Sequence, residues 1–360
     1  MIKDSKGETL ERLGSVTTPD LWLLYEHMFR SRRFEEIVSD LWKQGKISGE
    51  MHLGVGEEAI VAGVVPQLQE GDAMAVDHRG TPPLLMRGVD PILLLKEFLG
   101  RPDGLCSGMG GHMHLYSREH LAASSGIVGA SGPAAVGFAL AAQVLRPGNL
   151  AVAFFGEGAA NQGTLMEAFN LAVAWQLPVL FVCKDNAWSI TTPSASVTGG
   201  KLVDRVRGLG LPIIEVDGRE VERVWQSARI AMEHVRRGDG PYYLHATCGH
   251  LEGHFLGDPF LRVLRNPFQQ LRIFIWPLFR SVFRRKGADV RARLGGLALF
   301  FKTVFQGIRQ FSKADDPLLR TRRRLYQDRH RLKALEDSIV REMRQIVMVA
   351  EMPFAVEEAS

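Results

Sequence analysis

The sequence predicts an α/β fold with a mainly parallel sheet, helices on both faces of the sheet and a helical carboxyl-terminal extension. Apolar runs of strand length alternate with longer segments that carry one apolar face at helical spacing, which is typical of this class. Residues 150–192 show the alternation most clearly, as a strand, a glycine-rich turn, a helix and a second strand. Such a unit forms a right-handed crossover, and its loops emerge at the carboxyl edge of the sheet, where open parallel sheets bind ligands.

The first predicted helix begins after Asp20, whose carboxylate can cap its amino end. Leu21, Leu24 and Met28 then repeat at the spacing of one apolar face, and Gly45 ends the helix. The other predicted elements, in chain order, are a helix after the glycine-rich turn at 49–57, a strand at 73–76, a helix within 84–99, a helix at 133–145, a strand at 150–155, a helix at 164–176, a strand at 178–183, a strand at 211–218, a helix at 222–236 and a strand at 242–248.

The composition is that of a soluble globular protein, because 46% of the 360 residues are hydrophobic and 23% are charged. This length allows one large domain or two small ones. The three cysteines lie far apart, which argues against a disulfide framework or a metal-binding spacing and fits a reducing compartment. The first residues lack the apolar core of a signal peptide, so we expect a cytoplasmic protein, and we expect no nucleic-acid partner.

We predict four segments: a tail at 1–19, an α/β domain at 20–259, a basic insertion at 260–313 and a helical segment at 314–360. The insertion holds twelve Lys or Arg and one acid, so it carries +11 while the rest of the chain carries −7. Pro277 interrupts its apolar residues before they reach the length of a membrane span. Two interpretations stay open: the apolar stripe packs on the protein or on a partner subunit, or the segment lies on an anionic membrane surface.

The two loops of the 150–192 unit carry a carboxylate and a carboxamide. The turn Gly156-Glu157-Gly158 is separated from Asp185-Asn186 by twenty-six residues. Glycines let the backbone approach a phosphate, and the helix that follows offers its amino end to it. A Gly-x-Gly turn after a strand is common on its own, but its pairing with a second polar loop at this spacing favours a phosphate-and-metal site.

Three other positions are ambiguous when they are considered alone. His52, in a glycine-rich turn, fits a structural histidine as well as a catalytic one. Arg79, at the end of a predicted strand, suits an anion because its guanidinium can donate to two phosphate oxygens, but it equally suits a surface ion pair. His112 and His114 could bind a metal, yet their glycine-rich loop offers no third ligand nearby.

The spacing of the two polar loops resembles the diphosphate-and-metal motif of thiamine-diphosphate enzymes. The resemblance implies that Glu157, Asn186 and the main-chain carbonyl of Trp188 bind Mg²⁺. This ion requires six oxygen ligands in near-ideal geometry, and two diphosphate oxygens and a water would complete them. The resemblance also implies diphosphate contacts from the turn that surrounds the acid, namely Gly156, Gly158 and Ala159.

Over residues 20–259, and again from 315 onward, the chain is similar to the alpha subunit of the decarboxylating first component of 2-oxo acid dehydrogenase complexes. This family has pyruvate, branched-chain and acetoin branches. The resemblance implies that His52 lies over the cofactor and that His254 lies near its diphosphate and thiazolium, both as catalytic residues. It also implies further contacts with the cofactor, from His78, Arg79, Gly126 and Val128.

The sequence departs from the family pattern at five of these positions. Glu157 replaces an aspartate, Asp185 an asparagine, His78 a tyrosine and His250 an arginine. Glu157 keeps the charge and the oxygen donor of the aspartate, so we expect it to be tolerated. Phe255 replaces a serine that is phosphorylated in some members, so we do not expect that form of regulation.

The resemblance implies an alpha subunit that uses thiamine diphosphate and Mg²⁺ to decarboxylate a 2-oxo acid, or to cleave acetoin, and passes the acyl group to the lipoyl group of a transacylase. The chain has one α/β domain of this type, and in the family a beta subunit supplies the activating glutamate, so an α2β2 heterotetramer is expected. The alternative is a degenerate paralogue that binds the cofactor or a partner without catalysis, which the substitutions at Glu157, His78 and His250 motivate.

Overall fold

The computed structural model describes residues 20–249, 251–257, 277, 280, 289–298 and 316–353. The strands are β1 (Ala73–Val76), β2 (Tyr116–Ser117), β3 (Ala122–Ser124), β4 (Ala151–Gly156), β5 (Val179–Asp185), β6 (Trp188–Ser189), β7 (Thr192–Pro193), β8 (Ile213–Asp217) and β9 (Tyr242–Thr247). The helices are α1 (Leu21–Lys43), α2 (Glu58–Val64), α3 (Thr81–Arg87), α4 (Pro91–Phe98), α5 (Ser131–Leu145), α6 (Gly163–Ala174), α7 (Leu202–Gly208), α8 (Val221–Arg236), α9 (Pro317–Leu325) and α10 (Arg329–Glu351). Residues 290–298 are also helical.

Seven strands form one sheet in the order β2-β3-β1-β4-β5-β9-β8. Neighbouring strands are parallel except for β2 and β3, which pair antiparallel at one edge. In the β4–β5 pair Gly156 stands opposite Lys184, and in the β5–β9 pair Asp185 stands opposite Thr247. The loops that leave these strands therefore begin side by side at the carboxyl edge of the sheet, and this register places the polar loops of the sequence next to each other.

Helices cover both faces of the sheet, so the central strands are buried almost throughout. Phe154 packs in the core cluster on one face, with α1–α4, α8, α9 and α10. Phe155 packs in the core cluster on the other face, with α5, α6 and α7. On that second face the rings of Phe169 and Phe181 meet edge to face, 4.8 Å between centroids. The strict alternation of neighbouring residues between two cores is the period-2 pattern of a strand buried on both sides.

The carboxyl-terminal helices belong to the same body as α1. The buried guanidinium of Arg32 on α1 donates to Asp316 over 3.0 and 3.1 Å and to Glu58 on α2 over 2.5 Å. Asp316 also caps α9, because its carboxylate accepts the main-chain N–H of Leu318 over 2.9 Å. One buried cation therefore joins the first helix, the second helix and the start of the carboxyl-terminal pair, and its removal would leave two buried carboxylates without their cation.

The predicted α/β fold is confirmed, and most predicted elements lie within a few residues of the observed ones. Asp20 caps α1 through the N–H of Trp22, as expected. The helix expected within 84–99 is confirmed as α4, which Pro91 starts; the preceding helix α3, which ends at Gly88 with φ +103°, was not predicted as a separate element. The short strands β2, β3, β6 and β7 and the helix α7 were not predicted.

Two of the four predicted segments cannot be compared with the structure. The tail at 1–19 and most of the basic insertion at 260–313 lie outside the described residues, and so does His250. The division of the chain into segments stays a prediction. Among the residues that the structure describes, no helix combines the length and the hydropathy that a membrane crossing requires.

The contact between α2 and α8 leaves no room for a side chain at Gly63. A Cβ there would lie 2.5 Å from Cγ1 of Val224 and 2.9 Å from the main-chain nitrogen of Trp225. We expect Gly63→Ala to lower the free energy of unfolding by about 1–3 kcal/mol, because the backbone of α8 must shift. The control is Gly137→Ala on α5, where a Cβ would meet no described atom within 4 Å. This substitution should stabilise the helix by about 0.5–1 kcal/mol. Urea denaturation of both variants measures the free energy of unfolding. Equal changes in the two variants would contradict the close contact at Gly63.

Candidate functional site

One cavity at the carboxyl edge of the sheet collects all the site residues named from the sequence. The loops after β1, β3, β4, β5 and β9 and the turn before α2 form its walls. The predicted residues that line it are His52, His78, Arg79, Gly126, Val128, Gly156, Glu157, Gly158, Ala159, Asn186, Trp188 and His254. Further lining residues, which were not predicted, include Glu57, Asp77, Ser125, Ile127, Lys184 and Ser189.

Glu157 and Asn186 present oxygen donors on adjacent loops. Glu157 is only 6% exposed; its carboxylate accepts the hydroxyl of Ser194 and, over 3.3 Å, the main-chain N–H of Asn186. Burial, and then the nearby carboxylate of Asp185, raise the pKa of Glu157 to about 7. The side-chain oxygen of Asn186 accepts the N–H of Trp188 over 2.9 Å and so shapes the turn. A carboxylate beside a carboxamide is a donor set that suits a hard divalent cation, so these residues fit the expected Mg²⁺.

Two glycines that line the cavity, Gly158 and Gly126, each lie close to a neighbouring side chain. A Cβ at Gly158 would lie 2.5 Å from Oγ of Ser189, and a Cβ at Gly126 would lie 3.0 Å from the sulfur of Met113. A side chain at Gly158 would therefore displace the loop after β5. The walls of the cavity here are backbone, which is the surface that a phosphate can approach closely.

Three histidines that line the cavity lie next to one another. The ring of His52 lies 4.7 Å from that of His78 and 4.8 Å from that of His254, between centroids. Burial and the nearby charge of Arg79 lower the pKa of His52 to about 3 and that of His254 to about 4, and they lower the pKa of His78 well below its usual range. Nε2 of His78 is buried and has no hydrogen-bond partner among the described residues. All three imidazoles are therefore neutral near pH 7.

A buried ion cluster underlies the cavity, and its centre was not predicted. Lys184, 1% exposed, donates to Glu57 over 2.6 Å and to Asp77 over 3.0 Å. Burial alone would lower the pKa of Lys184, but the attraction of Asp77 and Glu57 outweighs it, so the pKa is raised and the ammonium stays charged. The only signal in the sequence was a lysine directly after the predicted apolar strand 178–183, at the ligand-binding edge of the sheet.

Arg79 lines the cavity, but its donors are already engaged by the protein. Its guanidinium donates to the carbonyl of Leu53 and, over 3.0 Å, to the carbonyl of His254, and its Nε lies 3.5 Å from a carboxylate oxygen of Glu57. This cation therefore ties the loop of His52 to the loop of His254. Its expected contact with the diphosphate stays a prediction.

His112 is a second residue whose place in the site was missed. The sequence suggested it only as one of a weak pair of metal ligands with His114. His112 is 7% exposed, and its Nε2 lies 3.0 Å from Nδ1 of His52. No spacing rule links these two histidines, which are sixty residues apart in the sequence.

The ion cluster yields a stability prediction. We expect Lys184→Met to lower the free energy of unfolding by about 3–5 kcal/mol, because Glu57 and Asp77 would be left buried without their cation. Adding Glu57→Gln and Asp77→Asn to that variant should recover part of the loss.

Lys43→Met is the control for this prediction. Lys43 pairs with Asp40 on the surface of α1, where both side chains are more than half exposed, so its loss should cost less than about 1 kcal/mol. Chemical denaturation of the full chain measures all three variants. A similar cost for Lys184→Met and Lys43→Met would contradict the buried cluster.

Comparison with known proteins adds an independent observation. Residues 26–270 match the family model described as dehydrogenase E1 component. The alpha subunit of acetoin:2,6-dichlorophenolindophenol oxidoreductase from Bacillus subtilis is 38% identical over 253 residues, which cover 69% of this chain and 76% of that protein. The alpha subunit of the pyruvate dehydrogenase E1 component is 36% identical in Rhizobium meliloti, over 75% of this chain and 77% of that protein. The corresponding subunit of Zymomonas mobilis is 37% identical, over 67% of this chain and 69% of that protein.

The matched range contains the cavity as well as most of the sheet. Every loop that lines the cavity, from the turn before α2 to the loop of His254, lies between residues 26 and 270. The similarity therefore covers the residues that would carry the chemistry and not only the scaffold. The chain belongs to the dehydrogenase E1 component family.

Proposed function

We propose that the chain is the alpha subunit of a thiamine-diphosphate-dependent oxidoreductase of the 2-oxo acid dehydrogenase type. The observation that carries this proposal is the register of β4 and β5, which sets Gly156 opposite Lys184 and so places the carboxylate of Glu157 beside the loop of Asn186. The two donors lie at the carboxyl edge of a parallel sheet, where diphosphate groups bind in such folds. Family membership and the expected cofactor chemistry agree with this geometry.

Different groups of residues that line the cavity would bind different parts of the cofactor and its metal ion. Thiamine diphosphate, when bound, supplies the nucleophilic carbon and the electron sink for cleaving the bond beside an oxo group. Glu157, Asn186 and the carbonyl of Trp188 would hold Mg²⁺, and the turn at 156–159 would receive the diphosphate. Gly126 and Val128 would contact the aminopyrimidine, where a wall of backbone and one small apolar side chain leaves space for a flat ring.

The histidines would handle protons beside the reacting carbon. His52 and His254 line the cavity as neutral imidazoles, and their rings are 4.8 Å apart. A neutral imidazole has one nitrogen that accepts and one that donates, so the pair can move a proton without a net charge entering the site. Burial keeps bulk water from competing for that proton. We assign the catalytic roles to these two residues, with His78 beside them as a contact to the cofactor.

The chemistry requires one more group, an acid against the pyrimidine nitrogen, and the acids that line the cavity in the described part of the chain are engaged elsewhere. The acids that line the cavity in the described part of the chain are Glu57, Asp77 and Glu157. The first two are paired with Lys184 and the third is assigned to the metal. Alpha subunits of this family pair with beta subunits, and we propose that a beta subunit supplies the missing acid in an α2β2 heterotetramer.

An uncharged surface beside the cavity supports this pairing. Ile127 and Val128, 68% and 56% exposed, lie at the cavity and lead directly into α5. Helix α5 has no charged residue along its whole length, and Leu140 and Val144 are exposed on it. Exposed apolar side chains on a segment without charges are typical of an interface. A subunit bound there would also close the cavity.

The substrate and the acceptor are proposed only as classes. Named relatives act on acetoin or are pyruvate dehydrogenase subunits, so we propose a 2-oxo acid or acetoin as substrate and a lipoyl group on a transacylase as acyl acceptor. The second candidate function, a non-catalytic paralogue, is motivated by the unusual residues Glu157 and His78. Magnesium-dependent cofactor binding by calorimetry and turnover by the assembled enzyme together separate the two: a paralogue that has lost the site would bind no thiamine diphosphate, and one that still binds it would show no turnover.

The metal assignment is tested at Glu157. Glu157→Ala should abolish magnesium-dependent binding of thiamine diphosphate while the fold survives, because the residue lies on a loop at the edge of the sheet. Glu157→Asp restores the shorter acid of the family and should bind the cofactor at least as well as the natural chain. Calorimetric titration in the presence and absence of Mg²⁺ measures both. Unchanged affinity in Glu157→Ala would refute the assignment.

The requirement for a beta subunit is tested by activity. The purified alpha chain should show no turnover of pyruvate, branched-chain 2-oxo acids or acetoin with an artificial electron acceptor, and activity should appear when the beta subunit is added. In the assembled enzyme His254→Ala should lower kcat by about 100-fold or more, with little loss of stability. Robust turnover by the alpha chain alone would contradict the proposal.

The basic insertion at 260–313 gives a separate prediction. If its apolar stripe lies on membranes, the protein should float with anionic vesicles at low salt, and deletion of residues 262–312 should abolish this. Neutral vesicles are the control. If the stripe instead packs on the protein or on a partner subunit, the protein should bind neither type of vesicle. Failure to bind anionic vesicles at low salt would therefore exclude peripheral contact with the membrane.

A further inference from the structure

The hydrogen bonds of His112 fix which of its two ring nitrogens carries the proton. The main-chain N–H of His52 donates to Nε2 of His112 over 3.1 Å. A main-chain amide can only donate, so Nε2 of His112 must offer its lone pair. Burial lowers the pKa of His112 to about 4, in agreement with a neutral ring. His112 is therefore the neutral tautomer with its proton on Nδ1.

The tautomer of His112 in turn determines that of His52. Nδ1 of His52 lies 3.0 Å from the same Nε2 of His112. Two bare lone pairs at this distance would repel each other, so Nδ1 of His52 must carry a proton and donate it. The two ring planes are within 14° of parallel with centroids 5.3 Å apart. The centroids are farther apart than the two nitrogens by about the sum of the two ring radii, so the nitrogens lie between the two ring centres. The rings therefore meet edge to edge, as a hydrogen bond in the ring plane requires.

The loop of His112 is held rigidly enough to impose this arrangement. Glu97, fully buried on α4, accepts four main-chain N–H groups from the loop. Two of them come from Gly110 and Gly111, immediately before His112, over 2.7 and 3.2 Å. Four hydrogen bonds to one carboxylate fix the backbone at that point. His112 therefore meets His52 as part of an anchored loop.

We propose that His112 is a positioning residue that fixes His52 as the Nδ1–H tautomer, so that His52 presents Nε2 to the reaction as a proton acceptor. The family resemblance suggests that His254 and His52 both act as proton donors. The geometry instead makes His52 the acceptor in the resting state and leaves proton donation to His254. This catalytic consequence rests on the proposed function, whereas the tautomer itself does not.

The tautomer can be measured without any activity. In the full chain assembled with its beta subunit, ring-¹⁵N NMR of histidine-labelled protein should show, for His52 near pH 7, a protonated Nδ1 and an unprotonated Nε2. The signal is assigned by its loss in His52→Gln. A protonated Nε2 on His52 would overturn the proposal whether or not the enzyme is active. Observation of the expected tautomer in an inactive protein would instead count against the proposed function alone.

Two variants of His112 then test the consequence for catalysis. His112→Gln keeps an acceptor near the position of Nε2 and should retain the tautomer and most of kcat. His112→Leu removes the acceptor and should lower kcat by about tenfold or more while KM changes little, because proton transfer and not binding is impaired. His120→Leu, on the turn between β2 and β3, is the control and should behave like the natural chain. Equal kcat values for His112→Gln and His112→Leu would overturn the proposal, and so would loss of the tautomer in His112→Gln.

Discussion

The site depends on one buried ammonium group. Lys184 stands at the end of β5 and bonds to Glu57, which precedes α2, and to Asp77, which follows β1. These bonds hold together three loops that are far apart in the sequence, and both carboxylates belong to loops that carry cavity histidines. Arg79 extends the cluster, because it lies against Glu57 and donates to the carbonyl of His254.

The same cluster explains the electrostatic character of the histidines. Three imidazoles are packed within reach of Arg79, so protonation of any of them would place a second cation in a poorly hydrated space. The site therefore keeps its histidines neutral and uses them as donors and acceptors of defined direction. Hydrogen bonds must then determine which ring nitrogen donates and which accepts, and for His52 we propose that His112 provides them.

Local pattern was sufficient to predict the sheet and the edge at which the cavity lies, and motif spacing together with the family resemblance named twelve of the twenty-two residues that line the cavity. Gly156-Glu157-Gly158 and Asn186 are recognisable at a fixed separation, and parallel strands bring their carboxyl ends to one edge. Lys184 and His112 could not be found in this way. Their roles depend on which loops meet across the cavity, and the partners of Lys184 lie more than one hundred residues away in the chain.

The charges of the cavity also explain why the cofactor and the metal would have to bind together. Among the described residues that line it, the cations are Arg79 and Lys184, and the acids Glu57 and Asp77 lie against them. The neutral histidines add no positive charge. Under the proposed function, a diphosphate that entered this space would find its compensation chiefly in the divalent cation proposed at Glu157. The proposed metal site lies one loop away from a charge-neutral cluster, so we expect binding of the anion to depend on the metal.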